Sequence, residues 1–181
     1  HNGDLHEALK ELTELIYIPE HYTTQPKGQL KEKQLVKQEL ILPERGKNMR
    51  RVYAYLTKSR YIAPEIVQDF VDRKMLYQDV NGNCVFVAYD SEGKPNFASL
   101  RGTLSDVRFL GDLEGCDYKK GFCINNQSEK LIVTESVIDA MSVMTILQAQ
   151  GKDWKAYDYL PLGGTGKYEP VLNLLKEHPK Q

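Results

Sequence analysis

Two carboxylates stand four residues apart in the stretch LIVTESVIDAMSVMTI, residues 131 to 146. Glu135 follows the apolar run Leu131-Ile132-Val133, and Asp139 lies at the start of an apolar helical pattern. In open α/β sheets ligands gather outside the carboxyl ends of the strands. An acid at that edge can hold Mg²⁺ or move a proton while the strand fixes its position. Both residues also have a plain structural reading. Glu135 can be a solvent-facing acid at a strand end. Ser136-Val137-Ile138-Asp139 fits the S-x-x-[DE] start signal of a helix, where the dipole favours an acid in the first turn.

The elements that must position these acids are legible around them. Leu131 to Thr134 reads as a strand, and Val137 to Gln150 as a helix that Gly151 stops. Ala156 to Leu162 reads as a second strand, Gly163-Gly164-Thr165-Gly166 as a loop, and Tyr168 to Glu177 as a second helix. Strand, helix, strand, helix predicts parallel pairing with right-handed crossovers. Two parallel strands make a poor sheet alone, so either the preceding β-segments join them or the chain is cut short. The loop and Lys167 resemble a P-loop, but the full pattern needs Gly at 161 and Ser or Thr at 168. Those positions hold Pro161 and Tyr168. The loop's backbone N–H groups can still face a phosphate.

Upstream, Asn48 can cap a helix over MRRVYAYLTKSR, with Val52, Tyr55 and Leu56 on one face. Pro64 suits the first turn of a second helix, PEIVQDFVDRKM, whose apolar face is Ile66, Val67, Phe70 and Val71. From Met75 the period changes to two. Cys84 to Tyr89 predicts a strand, Asp90-Ser91-Glu92-Gly93-Lys94 a hairpin turn, and Pro95 to Arg101 the return strand. Short strands at Val107 to Leu110 and Gly121 to Ile124 are expected to complete an antiparallel sheet. Asp4 to Ile16 has helical spacing. Residues 17 to 47 are polar and weakly patterned, an arm with some helix such as Gln29 to Leu40.

Composition narrows the class. The chain of 181 residues can bury a respectable core. Its net charge is −1, so the whole molecule is no polyanion sponge. Residues 26 to 60 nevertheless carry ten Lys and Arg against three Glu, a segment able to lie along a phosphate backbone or to be a solvated helix face. Cys84, Cys116 and Cys123 form no C-x-x-C pair, and the four His are scattered, so neither a disulfide framework nor a zinc site is indicated. No apolar stretch approaches the roughly 20 residues of a membrane span, and the N-terminus lacks a signal pattern. The expectation is a cytoplasmic protein without a membrane partner. The chain opens on His1 rather than Met and closes at Gln181 just after a helical segment, which reads as a piece of something longer.

The stretch Val133-Thr134-Glu135-Ser136-Val137-Ile138-Asp139-Ala140 resembles the first motif of the Toprim domain, with Ser136 where families usually have Gly. Tyr159-Leu160-Pro161-Leu162-Gly163-Gly164-Thr165 resembles the second strand and Leu-Gly-Thr loop of a primase Toprim domain. Tyr55 to Ile62 with Pro64 to Phe70 resembles the helical pair that opens the bacterial primase polymerase core. Phe86 to Arg101 is similar to the β-rich subdomain in front of Toprim. The order of these parts, over about Arg50 to Glu177, looks closest to the primase-like proteins of plasmids and integrative elements.

The resemblance implies a fold and a set of roles. The fold would be an α+β part, helical pair plus small antiparallel sheet, followed by an incomplete α/β Toprim-like βαβα unit. The divisions would be a helical and basic arm over 1–47, the primase-core-like part over 48–126 and the Toprim-like domain over 127–181. Glu135 would be the catalytic acid/base or metal-site carboxylate, and Asp139, the second catalytic candidate, would brace the site or belong to its outer shell. Family members complete a Mg²⁺ site with Asp-x-Asp on a third parallel strand. This chain stops before that strand, and Asp112-Leu113-Glu114 lies on a different element, so Mg²⁺ is expected only in the full-length protein and the fragment is expected to be inactive. Arg101 would guide template or nucleotide, followed by Lys119, Lys120 and Lys94, with Arg108 a further candidate, and Gly163, Gly164 and Thr165 would face phosphate. DNA, nucleoside triphosphates and a helicase are the implied partners. The implied activity is Mg²⁺-dependent nucleotidyl transfer on a DNA template. Two alternatives stand beside it: a non-catalytic nucleic-acid-binding module of a mobile-element protein, and a Toprim nuclease or recombination factor.

Overall fold

The helical pair starts under a side-chain acceptor. In the computed structural model residues 39–104, 109–164 and 167–177 are described. The expectations for Asp4 to Ile16, for most of the arm, for Val107 and Arg108, and for Thr165 and Gly166 fall outside them. Asn48 Oδ1 accepts the Arg50 N–H at 3.0 Å, and helix α1 runs Arg50–Ala54. It widens into a π turn, Tyr55–Ser59, closed by the Arg60 N–H on the Tyr55 carbonyl at 3.1 Å. Helix α2, Pro64–Asp72, has its proline in the first turn. It buries Ile66, Val67 and Phe70 and stops three residues before Met75, where Lys74 takes a positive φ of 61° and reverses the chain.

Four strands follow: β1 Leu76–Gln78, β2 Cys84–Tyr89, β3 Pro95–Arg101 and β4 Leu110–Asp112. They form one antiparallel sheet in that order. The β2–β3 turn is built by Asp90 Oδ1, which accepts from the Glu92 and Lys94 N–H groups at 3.0 and 2.9 Å. Gly93 there has φ 77°, a conformation glycine adopts without steric penalty. Five successive residues of β2 are buried, because the sheet is covered on both faces. Leu40 and Leu42 pack over one face with Val85 and Val87. The chain just after them runs along β1, with the Gly46 N–H on the Gln78 carbonyl at 2.7 Å and the Arg45 guanidinium 4.2 Å from the Tyr77 ring centroid.

Gly121 to Ile124 does not complete that sheet, contrary to the sequence expectation. Ile124 instead bridges antiparallel to Tyr159, with bonds of 2.8 and 3.0 Å between their backbones. Phe122 and Ile124 are both buried in the core, Phe122 edge-on to Phe97 of β3 and Ile124 paired with Tyr159, so the segment spans from the first sheet to the second. That sheet pairs β5, Leu131–Thr134, in parallel with β6, Asp158–Pro161, Leu131 opposite Asp158 and Thr134 opposite Pro161. Helix α3, Val137–Ala149, makes the crossover, and Gly151 after it has φ 68°. Helix α4 is Glu169–Glu177. The entry to β5 is set by Asp158, whose Oδ1 accepts the Asn126 and Ser128 N–H groups at 2.7 and 3.1 Å.

The result is a mixed α and β architecture whose main core is shared by both sheets and the helices, with a smaller cluster on the other face of the antiparallel sheet. Leu56, Ile66 and Phe70 of the helical pair meet Phe86 of β2, Met141 and Met144 of α3, and Tyr159 of β6. The Ala63 N–H donates to Thr145 Oγ1 at 3.1 Å, tying the pair to α3 directly. Each such apolar side chain, fully buried, contributes about 1.5–3 kcal/mol. Across that core the end of β5 and the end of β3 are held in fixed relation.

Candidate functional site

The β5–β6 ladder continues one step beyond the strands. The Leu162 N–H donates to the Thr134 carbonyl at 2.9 Å, and the Gly163 N–H to the Glu135 carbonyl at 2.8 Å. Glu135 is therefore pinned through its backbone, while its side chain is exposed and, among the described residues, makes no hydrogen bond or ion pair. It lines a cleft of about 540 Å³ together with Arg101, Asp139, Gly163 and Gly164. Five residues singled out in the sequence thus share one surface, although they come from β3, from the start of α3 and from the two strand ends.

Asp139 has a structural task there. Its Oδ2 accepts from the Ser136 N–H at 3.0 Å and from the Ser136 hydroxyl at 2.7 Å. The Asp139 N–H returns a bond to Ser136 Oγ at 3.3 Å, completing a reciprocal helix cap. Gly163 and Gly164 have φ of 67° and 138°, and the turn requires that freedom. The Gly163 N–H is occupied by Glu135, so it does not face the cleft as a free donor. Thr165 lies outside the described residues.

Arg101 brings a partner that the sequence pattern did not offer. Its Nε donates to the Tyr55 hydroxyl at 3.1 Å, and Arg60 Nε donates to the same oxygen at 2.9 Å. In an α-helix residues five apart lie about 140° apart around the axis. The π turn brings Arg60 back over Tyr55, its guanidinium 5.4 Å from the ring centroid. Arg60 and Arg101 both line the cleft. Neither forms an ion pair among the described residues. Wide helical turns often mark functional positions.

Two further charges line the cleft, one of them on an element upstream of Glu135. Asp112 of β4 meets Lys167, Oδ2 to Nζ, at 2.6 Å. The Lys167 ammonium also lies 4.9 Å from the Tyr118 ring centroid. Burial, then the Asp112 charge, push the Tyr118 phenol above its ordinary range. The other basic candidates stand elsewhere. Lys119 and Lys120 are exposed, and Lys94 pairs with Glu39 at 3.9 Å. None of the three lines the cleft.

Among the described residues no group of three or more His, Cys, Asp or Glu side chains gathers to hold a metal ion. Mg²⁺ prefers six oxygen ligands and usually takes more than one carboxylate. With Asp139 engaged in its cap and Asp112 in its ion pair, these residues do not make up a Mg²⁺ site. The three cysteines are free thiols. Among the described residues no helix is long and apolar enough to cross a membrane.

Fold and site together describe a mixed α and β protein with a charged cleft at the carboxyl ends of a parallel strand pair. Residues 54–130 match a family described as a protein of unknown function, DUF3991. That match covers the π turn, α2 and the antiparallel sheet, and ends before Glu135. No curated protein matches the chain, and no solved structure does.

Proposed function

We propose that the chain is part of a primase-like Toprim protein of a mobile element, one that performs nucleotidyl transfer on a DNA template in its full-length form. The observation that carries this reading is the convergence of Glu135 with Arg101 and Arg60 on one cleft. Phosphoryl transfer needs positive donors to receive phosphate oxygens and a carboxylate to manage a proton or a cation beside them. The Arg60–Arg101 pair supplies the donors. Glu135 supplies a carboxylate held by its backbone and open to solvent. The cation of such a reaction would need carboxylates additional to those described, such as an Asp-x-Asp pair on a further parallel strand of the parent protein.

The test is Glu135→Gln in the full-length protein, assayed for primer synthesis and for DNA binding. Loss of synthesis with DNA binding retained is the expected result. Normal priming by the variant removes Glu135 from the chemistry.

A second reading is a nucleic-acid-binding module of a mobile-element protein that has no catalysis of its own. The engagement of Asp139 in its helix cap favours it, because one of the two motif acids is then accounted for by helix stability. An Asp-x-Asp pair in the parent gene after Gln181 supports the catalytic reading. Its absence there supports the second.

A further inference from the structure

Among the described residues, the charged side chains that line the cleft are three cations, Arg60, Arg101 and Lys167, and three anions, Asp112, Glu135 and Asp139. Net charge therefore does not select a ligand here; arrangement does. Arg60 and Arg101 share one neutral acceptor, the Tyr55 hydroxyl. Two like charges so placed repel each other, and an anion between them relieves that repulsion. Lys167 differs, because it is already paired. We propose that Lys167 is the built-in counter-cation of the cleft: by neutralising Asp112 it lets the Arg60–Arg101 pair receive a phosphoryl group without a divalent cation. The inference rests on the phosphate-handling reading above and deepens it.

The side chain of Asp112 is only 13% exposed. A carboxylate so far out of water is weakly screened and would repel an incoming phosphate. A metal ion is the usual remedy where phosphate oxygens and carboxylates meet, and the described residues gather no ligand set for one. Lys167 stands in that role at 2.6 Å. Several groups lie against it. A Cβ at Gly163 would lie 3.6 Å from the ammonium and 3.7 Å from each Asp112 oxygen, so the pair packs against the bare glycine. The Tyr118 ring lies beside the ammonium, and that ring meets Phe97 edge-on at 5.5 Å. An ammonium has three N–H donors, so Lys167 could keep Asp112 and also reach a phosphate; the double variant below separates that direct role from charge compensation.

The test uses the present chain with two probes, a mant-labelled ATP and a short fluorescein-labelled single-stranded oligodeoxynucleotide, each titrated in EDTA and in Mg²⁺. The native chain should bind at least one probe equally well in both buffers. A nucleotide source and a nucleic-acid source of the phosphoryl group are told apart by which probe binds. Lys167→Met should weaken binding about tenfold, as expected when one unit charge is left uncompensated near the ligand. Asp112→Asn should bind at least as well as the native chain. The double variant Lys167→Met with Asp112→Asn should recover native affinity, because the pair is again neutral. A double variant as weak as Lys167→Met would make Lys167 a direct ligand and overturn the proposal, as would binding that requires Mg²⁺. Thermal melts check that each variant folds. Should Lys167→Met unfold, Asp112→Asn decides alone, and weaker binding by it overturns the proposal. Failure of the native chain to bind either probe overturns the phosphate-handling reading along with this one.

Discussion

Arg101 Nε donates to the Tyr55 hydroxyl at 3.1 Å and so fastens the end of β3 to the helical pair 46 residues earlier in the chain. Arg60 uses the same oxygen. One phenol therefore orients two guanidiniums toward the cleft. Tyr55→Phe keeps the ring and removes the acceptor. A hydrogen bond to a charged group contributes about 1.5–3 kcal/mol, and less where water competes as it does at Arg60. The expected loss of stability is about 1 kcal/mol in urea titration. Phosphate-probe affinity should fall at the same time, with the circular dichroism spectrum unchanged. Native affinity in Tyr55→Phe would show that the guanidiniums need no such orientation.

Ser136 and Asp139 cap α3 reciprocally. Ser136→Ala should cost about 1 kcal/mol, in the range found for lost N-caps. Asp139→Asn keeps an oxygen that can accept the Ser136 N–H, so its stability should stay within a few tenths of a kcal/mol of native. If capping is the whole task of Asp139, the full-length Asp139→Asn protein keeps its activity. A large fall in turnover with stability unchanged would give Asp139 a part in the chemistry.

Burial disfavours the thiolate at Cys84 and Cys123, and pushes their pKa up to about 12 and about 11. The sign for stability follows. An unfolded thiol loses its proton near pH 8.5, while the folded thiols keep theirs, so the native state binds more protons above that pH. Stability falls wherever the native state binds more protons than the unfolded one. Urea midpoints should therefore be level up to about pH 8 and decline from there toward pH 11. Iodoacetamide labelling of Cys84 at pH 8 should be slow in the native chain and rapid in urea. Fast native labelling of Cys84 would contradict its burial under the helical pair.

Much of this protein was readable from local pattern. Strand Cys84–Tyr89, its hairpin return Pro95–Arg101 and strand Leu131–Thr134 fall where alternation and turn residues put them. Pro64 marks a true helix start. These features depend on neighbours a few residues apart, so sequence spacing carries them. The parallel pairing of β5 with β6 was also foreseeable, because a helix lies between the two strands.

Other features turn on contacts between distant segments. Nothing local distinguishes Gly121 to Ile124 from an edge strand of the antiparallel sheet. Its attachment to Tyr159 was decided by where Phe122 and Ile124 could be buried. The π turn that carries Arg60 onto Tyr55 breaks the regular helical period from which the face was read. Asp112 looked misplaced because it precedes Glu135 in the chain, yet the shared core folds β4 beside the Gly163 turn and pairs that acid with Lys167. Residue type and spacing by themselves determined which side chains could do chemistry and on which elements they ride. Only tertiary packing decided which of them meet, because burial of apolar surface is non-directional and selects among pairings that local propensity leaves equal.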